Sequence, residues 1–81
     1  MLPLNVTFHG VTVLWSTAEI ARVAEQELEF RLTQSEDAIA LQTARTVLPD
    51  AQYKIEHRGD HVLLVSRKHA RVDDRLVVRF R

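Results

Sequence analysis

The sequence predicts an α+β domain: one mainly antiparallel sheet of about five to six strands, with two helices packed chiefly on one face. Three observations point there. Apolar residues alternate with polar ones near both ends of the chain, short Gly- or Asp-containing dipeptides separate these runs, and two Ala-rich stretches in the first half carry helical spacing. At 81 residues the chain is expected to form a single small domain over residues 1–81.

Leu2, Leu4, Val6 and Phe8 alternate with Pro3, Asn5 and Thr7, the period of a half-buried strand. His9-Gly10 supplies a tight turn, and Val11, Val13 and Trp15 continue on a second strand. Pro3 lacks an amide hydrogen, which suits a sheet edge or a strand start. Ser16 followed by Glu19 has the spacing of a capping box, and Ala18, Ile20, Ala21, Val23 and Ala24 follow, so a short helix is expected over 17–25. Glu27 to Thr33 alternates without a break. Its composition suits a helix and its period a strand, and the period decides for a strand over 27–33.

A second helix is expected over 36–48. Ser35 precedes two acids, Glu36 and Asp37, and Ala38, Leu41, Ala44 and Leu48 recur at helical spacing until Pro49. Ile39 falls nearly opposite that apolar face. Tyr53, Ile55 and His57 alternate with Lys54, Glu56 and Arg58, and Gly59-Asp60 turns the chain into His61–Arg67. Leu76, Val78 and Phe80 give a last strand after Asp73-Asp74.

Several functions are excluded or disfavoured by composition. Cysteine is absent, so no disulfide, thiol nucleophile or thiolate metal site exists. Two glycines leave no phosphate-cradling loop. No apolar run approaches the ~18 residues of a membrane-spanning helix. No basic leader precedes the first strand, and a cytoplasmic location is expected. His9, His57, His61 and His69 do not form a metal-ligand pattern; whether His57 and His61 share a face depends on a two- or three-residue turn between them. Arg58-Gly59-Asp60 is the tripeptide of adhesive loops, but Gly-Asp is equally what a turn requires. Ser16, Ser35 and Ser66 lie in no nucleophile elbow. No catalytic, cofactor or metal site is expected, and the chain reads as a non-enzyme.

Charge and apolarity supply the functional reading. Residues 1–50 set three arginines against seven carboxylates, a balance of −4, while residues 51–81 set eight cations against four carboxylates, a balance of +4. Val62-Leu63-Leu64-Val65 is apolar at four successive positions, and a strand sends neighbours to opposite faces, so this run needs cover on both sides. The expected function is a small protein–protein interaction module (a regulator, inhibitor or assembly factor), self-associating as a homodimer through Val62, Leu63, Leu64 and Val65. The alternative is nucleic-acid binding by the basic C-terminal strands, through Arg67, Lys68, Arg71, Arg75, Arg79 and Arg81. A solvated set of ion pairs between the two halves explains the same charge pattern without either function.

Overall fold

A computed structural model describes residues 3–67 and 69–81; Lys68 and the first two residues lie outside the described residues. The chain is all-β. Among the described residues eight strands follow one another: β1 (Pro3–Phe8), β2 (Val11–Ser16), β3 (Glu19–Ala24), β4 (Glu27–Arg31), β5 (Ala38–Thr43), β6 (Tyr53–Arg58), β7 (His61–Ser66) and β8 (Arg75–Arg79). They form a five-stranded sheet in the order β1-β2-β5-β7-β6 and a three-stranded sheet in the order β3-β4-β8. Every pairing is antiparallel. The two sheets bury one core between them, with Val11, Val13, Ile39, Leu41, Tyr53, Val62 and Leu64 from the larger and Leu28, Phe30, Leu76 and Val78 from the smaller.

The expected α+β architecture is therefore corrected, and the described residues contain no helix. Residues 17–25 form a turn and then β3, which pairs Ile20 with Phe30 and Val23 with Leu28. The Ser16 hydroxyl, read as a helix cap, donates instead to Ala18 O at 2.7 Å. Residues 36–48 form the central strand β5 and a loop, not a helix. The reason is that Ala38–Thr43 satisfies two periods at once. Ala38, Leu41 and Ala44 match a helix, while Ile39, Leu41 and Thr43 match a strand, and alanine is too small to arbitrate. Neighbours on both sides decide the matter: β2 and β7 flank β5, and Ile39, the residue that did not fit the helical stripe, is completely buried. Isolated helices this short are marginal in water, so tertiary pairing overrides their propensity.

Other expectations hold. His9-Gly10 closes a two-residue hairpin, both residues at positive φ as a type I′ turn demands, with Phe8 opposite Val11. Glu27–Arg31 is a strand, and Leu76, Val78 and Phe80 face the core. The Arg58-Gly59-Asp60-His61 turn has two central residues, with Gly59 at φ 63° and Arg58 opposite His61. His57 and His61 thus point to opposite faces of the sheet.

Two polar staples lock the sheets together. The carboxylate of Asp37, 1% exposed, accepts from the Thr33 amide at 2.8 Å and the Thr17 hydroxyl at 2.6 Å, and the Asp37 amide donates to Ser66 Oγ at 2.7 Å. These bonds tie the ends of β2, β4 and β7 to the start of β5, and a buried carboxylate needs such donors to offset its lost hydration. At another turn cluster, Arg45 Nη1 donates to His9 O at 3.0 Å and Glu25 O at 2.8 Å, joining the β1–β2 and β3–β4 turns. Its guanidinium lies over the Phe80 ring at 5.5 Å.

Candidate functional site

The Val62–Val65 run divides between two environments. Val62 and Leu64 point into the sandwich, where the smaller sheet covers them. Leu63 and Val65 point outward and are only half-buried, each lying between β5 and β6 neighbours: Leu63 between Ala40 and Glu56, Val65 between Ala38 and Lys54. Cover for the inner half thus comes from the chain's own second sheet. The outer half meets no opposing layer among the described residues.

That outer face is broader than the sequence suggested, because β2 carries a bulge. Val13 lies opposite Leu41, yet Trp15 lies opposite Ala40, one residue out of step. A bulge inserts an extra residue and re-aims the side chains beyond it. Trp15, placed by simple alternation on the same side as Val13, moves to the outer face beside Leu14. Leu14, Ala40 and Leu63 then line a shallow depression rimmed by Glu56, Arg58 and His61. Leu14, Trp15, Leu63 and Val65 are all half-buried, so apolar area stays in contact with water. No signal in the sequence marks this shift, since two successive apolar residues on a strand ordinarily face opposite sides.

The rim is polar and locally ordered. Arg58 Nη2 lies 3.0 Å from Glu56 Oε1 along the same strand. The Gln42 side-chain amide donates to Asp60 Oδ2 at 3.1 Å, and His61 Nδ1 lies 3.0 Å from Asp60 Oδ1. The Gln42 hydrogen bond, with His61 adding to it, holds the Asp60 carboxyl below the ordinary carboxylate range. Asp60 is thereby tied back to β5.

The basic C-terminal residues are not gathered into one stripe. Arg75 and Arg79 stand on the outer face of β8, where Arg75 Nη1 lies 4.0 Å from Glu29 and Arg79 Nε 3.5 Å from Glu27. Arg22 on β3 bonds both of those glutamates from the other side, and Arg31 bonds Glu19 and Asp73. Apart from Val77, the outer face of the smaller sheet is an alternation of opposite charges, so part of the charge asymmetry along the sequence folds into ion pairs. Arg67 donates from Nε to Ala51 O at 3.2 Å. Arg71 and Arg81 are exposed at separate places in the chain, the β7–β8 loop and the end beyond β8, and Lys68 lies outside the described residues.

Among the described residues no group of three or more His, Asp or Glu side chains is placed to hold a metal ion. No helix among the described residues is long and apolar enough to cross a membrane. No protein-family model matches the chain, and a search of curated proteins finds no match. The geometry alone therefore carries the functional argument.

Proposed function

We propose that this chain is a small non-enzymatic protein–protein interaction module that binds protein partners, a second copy of itself among them, on its larger sheet. The observation that supports this reading most is the environment of Leu63 and Val65. Their strand neighbours Val62 and Leu64 are sealed in the core, while they themselves lie in an apolar face with Leu14 and Trp15 that no other described part of the fold covers. Contiguous apolar area rimmed by polar groups is the usual mark of a protein contact surface, and tryptophan is over-represented at the energetic centres of such contacts. The absence of cysteine fits a reducing compartment such as the cytoplasm.

Nucleic-acid binding by the C-terminal strands draws less support. Arg75 and Arg79 face Glu29 and Glu27, and a phosphate would have to displace those carboxylates. Sedimentation velocity of the purified chain from about 1 to 100 µM, the range where weak dimers dissociate, tests the leading proposal. A sedimentation coefficient that rises with concentration is expected; a monomer throughout removes self-association. Titration with short DNA and RNA at two salt concentrations tests the other: binding that collapses at high salt favours the arginines as phosphate ligands.

A further inference from the structure

A strand at a sheet edge presents unpaired backbone groups, and folded proteins blunt such edges with proline, bulges, charged side chains, short strands or a covering segment. Three of the sheet edges here are blunted. β1 begins at Pro3, and its register with β2 shifts between Pro3 and Val6, where Asn5 adopts φ 50°. β3 is bulged between Ile20 and Arg22. The free side of β8 is covered at its C-terminal end by the 46–48 segment, through a Val47–Phe80 bridge and bonds from Leu48 N to Arg79 O and Arg81 N to Thr46 O. β6 carries only the charged device, and its charges alternate in sign through Lys54, Glu56 and Arg58. Its register with β7 runs without a shift from Tyr53 opposite Ser66 to Arg58 opposite His61, and it contains no proline.

Which β6 groups face outward is set by the hydrogen-bond phase. Thr43 N donates to Asp60 O and Ser66 N to Asp37 O, so the even-numbered residues of β7 bond to β5 and the odd-numbered ones to β6. Arg67 N donates to Gln52 O, in the same phase. Lys54, Glu56 and Arg58 therefore turn their backbone groups to β7. Tyr53, Ile55 and His57 turn theirs to the open edge.

We propose that two copies of the chain join antiparallel along β6, about a two-fold axis at Ile55, to make one continuous sheet. This rests on the self-association reading above and gives it a seam. A two-fold axis between residues would set outward-facing groups against inward-facing ones, so the axis must pass through a residue. An axis at Lys54 places that lysine against its own copy. An axis at Glu56 places Glu56 against its copy and Lys54 against the partner's Arg58. An axis at His57 runs the strand into the partner's Gly59-Asp60 turn and shortens the overlap. Only the axis at Ile55 keeps the overlap long and sets unlike charges opposite one another: Lys54 faces the partner's Glu56 and Glu56 the partner's Lys54. Tyr53 and His57 then exchange backbone bonds across the seam, and half-buried Ile55 meets its copy on the core side of the sheet. On the other side, Lys54, Glu56 and Arg58 of the two β6 strands lie between the two Leu63–Val65 surfaces, which the seam leaves uncovered.

Charge reversal tests this at exposed positions. Lys54→Glu alone and Glu56→Lys alone each set like charges opposite one another twice across the seam, and each should weaken its own dimer by roughly tenfold. Mixing the two variants restores attraction at both pairs, so the mixed dimer should form in preference to either self-pair, read by native mass spectrometry on chains of distinguishable mass. The double variant Lys54→Glu/Glu56→Lys should associate as the unaltered chain does. Dimers that form with unchanged affinity and mix statistically would overturn the β6 seam while leaving self-association intact. An unaltered chain that stays monomeric at every concentration overturns the self-association reading and the seam with it.

Discussion

The outer faces of the two sheets solve the same problem in opposite ways. On the smaller sheet, β4 contributes Glu27, Glu29 and Arg31 to solvent, and Arg22, Arg75, Arg79, Glu19 and Asp73 surround them with opposite charge. On the larger sheet, the corresponding positions are Ala38, Ala40, Leu63 and Val65, joined by Leu14 and Trp15. The inner faces are equally apolar, so the difference is not about building the core. A charged outer face is complete as it stands, since its partners lie on the same sheet. An apolar outer face gains by being covered, and that places the candidate contact surface on the five-stranded sheet.

The most severe way to break this comparison is to cut adjacent residues of β7. Leu64 is fully buried, and Leu64→Ala should cost about 2–5 kcal/mol of folding stability, the usual range for a core leucine. Leu63→Ala removes the same atoms from the half-buried outer face and should cost less, about 1–2 kcal/mol, because water already reaches part of the side chain. Urea denaturation at sub-micromolar concentration, where association is suppressed, measures both. Equal losses would mean that the outer face is as enclosed as the core, and the argument for a contact surface would fall.

The four-residue apolar run was the part of this surface legible in the sequence, because apolar side chains at successive strand positions must fall on both faces of the sheet. Of the two sides of that run, the inner is covered by the β3-β4-β8 sheet rather than by helices. Those strands were partly readable, since Glu27–Arg31 and Leu76–Phe80 alternate cleanly. β5 was not readable, because alanines at its outward positions make a helical stripe and a strand stripe coincide. Trp15 was not readable either, as a bulge shifts facing by one residue without any change of composition. The ion-pair lattice needed the register: Glu27 and Arg79 are distant in sequence and lie directly opposite only once β4 pairs with β8. Asp37 looked like a helix-start acid, and its neighbours Thr33 and Ser66 gave no hint that they would converge on it.

A second test probes the inner face of the larger sheet through the chain's single tyrosine. Tyr53 is 2% exposed, its hydroxyl 3.3 Å from Leu48 O, and burial pushes its pKa up to about 12 from an ordinary value of 10.0. A group that holds its proton more tightly when folded stabilises the fold fully below the unfolded pKa and loses that contribution as pH rises through the folded one. Stability should therefore fall between about pH 10 and pH 12, by an amount on the order of 2 kcal/mol from this group. Absorbance at the tyrosinate band follows Tyr53 alone, and Tyr53→Phe should flatten this part of the alkaline stability profile. Ionisation at the ordinary value with no loss of structure would show that the inner face at β6 admits water.

The smallest effect belongs to the charged face. The Arg22 guanidinium, hydrogen-bonded to Glu27, holds the Glu27 carboxyl below its ordinary range, with the charge of Arg79 adding to it. A depressed carboxylate pKa gives stability that is present above the unfolded value, near 4.5, and is lost as pH falls through the folded one. Both partners are solvent-exposed, so the contribution is small and screened by salt. Glu27→Gln should lower the melting temperature at pH 7 and low salt by at most about 3 °C. The difference from the unaltered chain should shrink in 1 M salt, and should vanish at acid pH, where the glutamate is itself protonated and resembles the amide. The same salt increase should leave any destabilisation by Leu63→Ala in place or enlarge it, because apolar contact is not screened. If the two substitutions respond alike to salt, the outer faces do not differ in kind.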